Sequence, residues 1–306
     1  MNVDSTISIQ IDPQRVRQNA ADIRSRVGVA VHAVVKANAY GLGVARIVPA
    51  IKDVVDGFCV FDLHEAREVR KLTEKPILCL GPPGEFTAND FLAIKARPAV
   101  STVDEAKRLG SASCVLCVDT GMQRFACPAE LVGEAVAAGN IGEAFTHAVR
   151  PEQVKMLLDI LGPLRGLMKV HAAASALLAD ANYALDGVRP GLALYRGAVR
   201  ISARLVEVRE TRGPIGYGSF SAPRVGVILL GYSHGLRPGP CLVNGSASRV
   251  LECGMQSSFI DVIAGDRVGD EVVLLGDGLE AEQIATEWKT SAQEVLVSLL
   301  RTNRVL

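Results

Sequence analysis

Short apolar runs recur through the first two-thirds of the chain, and most are followed by a stretch with helical spacing. VHAVV (31–35) precedes GVARIVPAIKDVV, and GFCVF (57–61) precedes DLHEAREVRKLTE. PILCL (76–80), PAVST (98–102) and CVLCVD (114–119) come next, the last of them before PAELVGEAVAAG. GEAFTH (142–147), GLMKVH (166–171) and DGVRPGLALY (186–195) complete the set. About eight strands alternating with helices predict an α/β fold built on a (β/α)8, TIM-like barrel. The runs are continuous rather than alternating, as parallel strands buried on both faces require.

After Tyr195 the texture changes. ISARLVEVRET, RVGVILLGYS, CLVNGSASRVLECG, SSFIDVIAG and DEVVLLGDG read as strands punctuated by Gly and Pro. Helical spacing returns only in EAEQIATEWKTSAQEVLVSLLR. We expect a barrel domain over residues 8–198 and a C-terminal, mostly β domain over 199–306, to which an N-terminal strand within 1–10 adds.

Composition narrows the function. Thirty-three basic residues balance thirty-three acidic ones, and only 5% of residues are aromatic. No field draws the chain to nucleic acid or anionic lipid, and little material exists for base stacking. A small neutral or zwitterionic substrate fits better. The N-terminus lacks a basic segment followed by an apolar one, so no secretory signal is expected. The longest apolar stretch, 27–51, is interrupted by His32, Lys36 and Arg46, which a membrane span would not tolerate. Seven cysteines, an odd number set mostly in apolar runs, read as reduced thiols in a cytoplasmic protein.

VVKANAYGLG (34–43) poses the chemical question. Lys36 ends an apolar run, where a barrel builds its chemistry. It reads either as a snorkelling strand-end charge or as an amine able to bond a carbonyl. The segment closely resembles the pyridoxal-phosphate lysine segment of alanine racemases. VDTGMQRF (118–125), FTHA (145–148), HAAASA (171–176), VRPGLALY (188–195), GYGSF (216–220) and GDEVVLLGDG (269–278) resemble further motifs of that family, in order.

The resemblance implies an amino-acid racemase with pyridoxal 5'-phosphate as cofactor. It also implies a head-to-tail homodimer with shared active sites and a small amino-acid substrate, alanine first. Lys36 would carry the cofactor and act as one base, and Tyr217 of the twin subunit would be the other. His147 resembles the histidine that supports this tyrosine. Arg189 would face the ring nitrogen, donating a hydrogen bond without giving up its proton, and His171 resembles the residue holding it. Tyr40, Ser175, Gly191 and Leu192 would seat the phosphate. Arg124 would meet the cofactor and the substrate carboxylate, and the amide of Met255 would meet the carboxylate too.

Several positions depart from the family pattern. Cys117 stands where many members carry a lysine, often carbamylated, beside the arginine. Ala174 and Leu42 replace a frequent Asn and His. His234 and Leu236 occupy positions of the family's entryway, Gln256 replaces an acidic residue, and Leu306 falls where a tyrosine often follows. These changes keep open a racemase of serine, lysine or broad specificity. A non-catalytic pyridoxal-phosphate-binding regulator would need Lys36 but not Tyr217. A decarboxylase would favour an acidic partner at the ring nitrogen, against Arg189. The remaining features are bland. Cys114 and Cys117 face opposite sides of a strand and would not chelate. His64 reads as a solvated helix residue, GPPGE (81–85) as a turn, and NGS (244–246) as a sequon without consequence.

Overall fold

The structure, a computed structural model, describes residues 6–301. Residues 1–5 of the expected N-terminal strand, and Leu306, lie outside the described residues. The chain divides into two compact units: residues 13–39 with 43–196, and residues up to Asp12 with 40–42 and everything from Gly197 on.

Strand β1 (Ile7–Ile11) belongs to the second unit. The first unit is a closed barrel of eight parallel strands. These are β2 (Ala30–Val34), β3 (Gly57–Val60), β4 (Ile77–Cys79), β5 (Ala96–Val100), β6 (Cys114–Cys117), β7 (Ile141–Ala148), β8 (Lys169–Ala173) and β9 (Gly187–Val188). Strands β3, β4 and β6 are buried at every position, which explains their unbroken apolar runs. Each helix between them lays an apolar stripe on the barrel. Leu63–Arg70, for example, buries Leu63, Ala66 and Val69, and Asp62 caps it by accepting the N–H of Glu65 at 2.9 Å. The barrel closes between its first and last strands, Ala30 opposite Gly187 and Val31 opposite Val188.

Two barrel segments differ from the expected strands. The run 186–195 supplies only Gly187–Val188, because Pro190 has no N–H to give a ladder; Leu192–Tyr195 turns into a short helix instead. In 166–171 the strand starts at Lys169, after a 3-10 turn over Gly162–Leu167.

The second unit is an eight-stranded sheet completed by β10 (Val199–Arg204), β11 (Glu207–Glu210), β12 (Arg224–Ile228), β13 (Gly239–Val243), β14 (Ser246–Cys253), β15 (Ser258–Asp261) and β16 (Glu271–Leu275). Its order is β1-β10-β16-β13-β14-β15-β12-β11. The β13–β14 hairpin turns on Asn244 and Gly245, both at positive φ, the type I′ geometry that Asn-Gly favours. The late helical stretch is two helices, Ala281–Trp288 and Ala292–Leu299. Lys289, at φ 53°, ends the first, and Ser291 caps the second. All seven cysteines are free thiols. Among the described residues no helix is long and apolar enough to cross a membrane, and no cluster of His, Cys, Asp or Glu has the spacing of a metal site.

Candidate active site

Lys36 lies two residues past the end of β2, at the C-terminal mouth of the barrel. The chain then makes a turn of the wrong hand. Ala37, Asn38, Ala39 and Tyr40 all have φ between 54° and 56°, a region that costs about 1–2 kcal/mol for each non-glycine residue. Hydrogen bonds offset that cost. Ala39 donates to the carbonyl of Val35 at 2.8 Å, and Gly43 donates to that of Asn38 at 2.9 Å. The Asn38 side chain accepts the N–H of Val44 at 2.8 Å. Glu65 accepts the N–H of Ala37 at 2.7 Å and, with its other oxygen, that of Phe61 at 2.7 Å. The strain is thus concentrated on the residues that aim Lys36.

Lys36 opens into a cavity of about 250 Å³, which Cys117, Arg124, Phe145, His147 and Arg189 also line. Burial pushes the Lys36 amine below its ordinary value, and the charges of Arg124 and Arg189 add to this; Glu65 opposes it. Burial, reinforced by Arg189, Lys36 and Arg124, lowers His147 to about 4, so this imidazole is neutral near pH 7. Burial raises the Cys117 thiol to about 12, so Cys117 brings no negative charge to Arg124. Among the described residues Arg124 makes no hydrogen bond. It rides an exposed loop between Gln123 and Phe125, both at positive φ.

Arg189 is 3% exposed. Its guanidinium donates to the carbonyls of Thr146 and Ala172 and lies 4.5 Å from the centre of the Phe145 ring. Its Nε has no partner among the described residues, a buried donor left for something else. His171 makes no hydrogen bond to Arg189 among the described residues. Its Nε2 meets Glu143 at 2.7 Å, its Nδ1 is unpartnered, and its ring stacks on Phe145. Burial pushes the Glu143 carboxyl up, but hydrogen bonds from His171 and Arg97 outweigh it and hold Glu143 ionised. His171, fully buried, is held neutral.

A second cluster lies beyond β8. The hydroxyl oxygen of Ser175 accepts the N–H groups of Gly191 and Ala193, each at 3.1 Å. Tyr195 at the end of that short helix donates to the carbonyl of Val34 at 2.8 Å. Two residues apart in the chain, amides 191 and 193 converge on one oxygen. Tyr40 groups with the second unit, and burial raises its phenol to about 12.

In the second unit, Tyr217 is 90% exposed and Met255 60% exposed. The Met255 carbonyl accepts the N–H and hydroxyl of Ser233, and Gln256 is exposed on the same turn. His234 and Leu236 are buried, and His234 accepts the N–H of Gly231 at 3.1 Å inside the unit.

Comparison with known proteins places this arrangement. The family of the alanine racemase N-terminal domain matches residues 11–199, and that of the alanine racemase C-terminal domain matches residues 198–306. The chain belongs to the alanine racemase family. Its sequence is 30% identical to a biosynthetic alanine racemase of Salmonella typhimurium, over 97% of both chains. The biosynthetic alanine racemase of Pseudomonas aeruginosa superposes with a TM-score of 0.86 at 26% identity, over 96% of this chain and 97% of that one. The alanine racemase of Bartonella henselae, described with covalently bound pyridoxal phosphate, shares the fold with a TM-score of 0.86 at 24% identity, over 96% of this chain and 97% of that one. The alanine racemase fold accounts for the barrel and the antiparallel sheet together. The residues at the barrel mouth suit the family's cofactor: an amine of lowered basicity, a buried arginine N–H without a partner, and a hydroxyl ringed by amides.

Proposed function

We propose that this chain is a pyridoxal-phosphate-dependent alanine racemase, interconverting L- and D-alanine with two bases on opposite faces of the substrate. The observation that carries the reading is the cavity shared by Lys36, Arg124, His147 and Arg189 at the barrel mouth. Bound there, pyridoxal phosphate supplies an aldehyde for the amine and an electron-accepting ring.

The residues divide the remaining work. Ser175, with the amides of Gly191 and Leu192 and the neighbouring amide of Ala193, seats the phosphate, and Tyr40 is assigned to the same group. Arg189 donates through its free Nε without surrendering the proton, so the ring nitrogen stays unprotonated and transamination is restrained. Arg124, unpaired and exposed, receives the substrate carboxylate, and Met255 offers its amide. Lys36, its basicity lowered by burial and two arginines, takes or returns the Cα proton on one face. Tyr217, contributed by a second copy in a homodimer, does so on the other. His147 is a neutral hydrogen-bond partner for that phenol. The balanced charge and seven free thiols support a cytoplasmic setting.

Two inactive variants test the shared site. Lys36→Ala and Tyr217→Phe are each expected to abolish racemisation. Mixed in equal amounts and re-associated, they should recover about a quarter of the parent activity, because half the dimers then hold one intact site of two. Full activity in Tyr217→Phe would remove Tyr217 as the second base, and a parent that binds the cofactor without racemising any amino acid would leave only a cofactor-binding role. No recovery on mixing would place both bases in one subunit. Racemisation of serine or lysine far above alanine would reassign the substrate.

A further inference from the structure

The turn that carries Tyr217 is fastened to the sheet by one side chain. Glu252, on β14, accepts the backbone N–H of Tyr217 with Oε1 at 2.8 Å and that of Gly218 with Oε2 at 2.6 Å. Both oxygens of one carboxylate are spent on two successive amides, a charge-assisted pair across a separation of 35 and 34 residues. The fit leaves no slack. A Cβ at Gly218 would stand 2.9 Å from Oε2, and one at Gly216 would collide with Oε1. Beneath the turn, Ile215 donates to the carbonyl of Phe220 at 2.9 Å, and Phe220 meets Phe259 edge-on at 5.6 Å.

The phenol itself is treated differently. Tyr217 is 90% exposed, and its ring merely passes over Gly254, where a Cβ would lie 3.6 Å from Cε2. A fixed backbone under a free ring is the arrangement of a group presented outward. A tyrosine has only two side-chain torsions, so fixing its backbone fixes most of where the hydroxyl can go. Proton transfer needs heavy atoms within about 2.6–3.2 Å, and displacement by about 1 Å costs on the order of a hundredfold in rate.

We infer that Glu252 is a positioning residue for Tyr217, setting the reach of the phenol through the backbone rather than by touching the hydroxyl. The inference rests on the proposed role of Tyr217. Loss of the clamp slows proton transfer on the phenol's face and spares transfer by Lys36.

The test uses cofactor-saturated enzyme carrying Glu252→Gln, Glu252→Asp or Tyr217→Phe. Three quantities are read: kcat and KM for racemisation, cofactor absorbance, and exchange of the α-proton in D2O from each enantiomer separately. Glu252→Gln puts an NH2 against one of the two amides. It is expected to lower kcat by about tenfold to a hundredfold with KM within about twofold. Exchange from the enantiomer whose α-proton faces Tyr217 should fall by the same factor. Exchange from the other enantiomer and the cofactor absorbance should hold. Glu252→Asp, a shorter carboxylate, is expected to show the same asymmetry more mildly, and it carries the test if Glu252→Gln does not fold. Equal loss of exchange from both enantiomers, or an unchanged kcat in both variants, would overturn the inference. The same asymmetry in Tyr217→Phe keeps the two-base reading intact even if the clamp fails. Its absence there would sink the reading itself.

Discussion

Glu65 holds the backbone of Ala37, the residue next to Lys36, at 2.7 Å. Its second oxygen holds Phe61 at the end of the neighbouring strand. Glu65 therefore braces the reversed turn and, by its charge, also raises the basicity of Lys36 against burial. Glu65→Ala removes both acceptors from a partly exposed site. A net cost of about 1–3 kcal/mol is expected, since hydrogen bonds to charged groups are worth about 1.5–3 kcal/mol each when buried. Denaturant unfolding of the two proteins measures it. The pH profile of racemisation should also shift downward at its Lys36-dependent limb.

Ser175 is the hub of the amide cluster at Gly191 and Ala193. Ser175→Ala deletes a hydroxyl that could donate to a phosphate and leaves two amides without their acceptor. A loss of about 1.4 kcal/mol, roughly tenfold in pyridoxal-phosphate affinity, is expected. Titration of the cofactor-free variant by absorbance reads it directly.

His147, at about 4, lies below its ordinary value of 6.5. The unfolded chain therefore binds a proton on this residue at a pH where the folded one does not. Its contribution to stability is complete above pH 6.5 and declines as the pH falls toward about 4. His147→Gln should flatten that part of the stability-versus-pH curve. An unchanged slope between variant and parent would show that His147 titrates normally.

Phe145 lies 4.5 Å from the Arg189 guanidinium and stacks on His171 at 5.4 Å. A desolvated cation–π contact is worth about 2 kcal/mol. Phe145→Leu loses it along with some packing volume, so a destabilisation of about 2–4 kcal/mol is expected. Racemisation should fall with the cofactor still bound, because Arg189 loses its seat while Lys36 and Ser175 keep theirs. Calorimetry and a cofactor spectrum on the same sample check both halves.

The barrel was legible because its strands are buried on both faces, and runs such as GFCV and CVLC carry that burial as unbroken apolarity. Segment 186–195 was overread as strand because Val188, Leu192 and Leu194 are apolar in either conformation; Pro190 decided the matter. The candidate site residues were read from motif strings, not from periodicity. Glu65 was missed although Asp62 three residues earlier marks a helix start, because a carboxylate bonding the amide of Ala37, 28 residues away, leaves no spacing signal. Glu252 was missed for the same reason. The reversed turn was invisible, since Ala-Asn-Ala favours a right-handed helix by local propensity. His234 and Leu236 were placed by their position in a motif, which carries no exposure signal; tertiary packing buries both.

The hydroxyl of Tyr195 reaches back 161 residues to the carbonyl of Val34, and Val34 donates to the carbonyl of Pro190 at 2.8 Å. The strand that leads to Lys36 is thus completed by the last segment of the barrel to be synthesised. A nascent chain interrupted before that segment has the lysine but no seam to hold it. On the proposed function, cofactor capture should therefore trail ribosomal elongation past the tyrosine, because this long-range closure of the ring comes first.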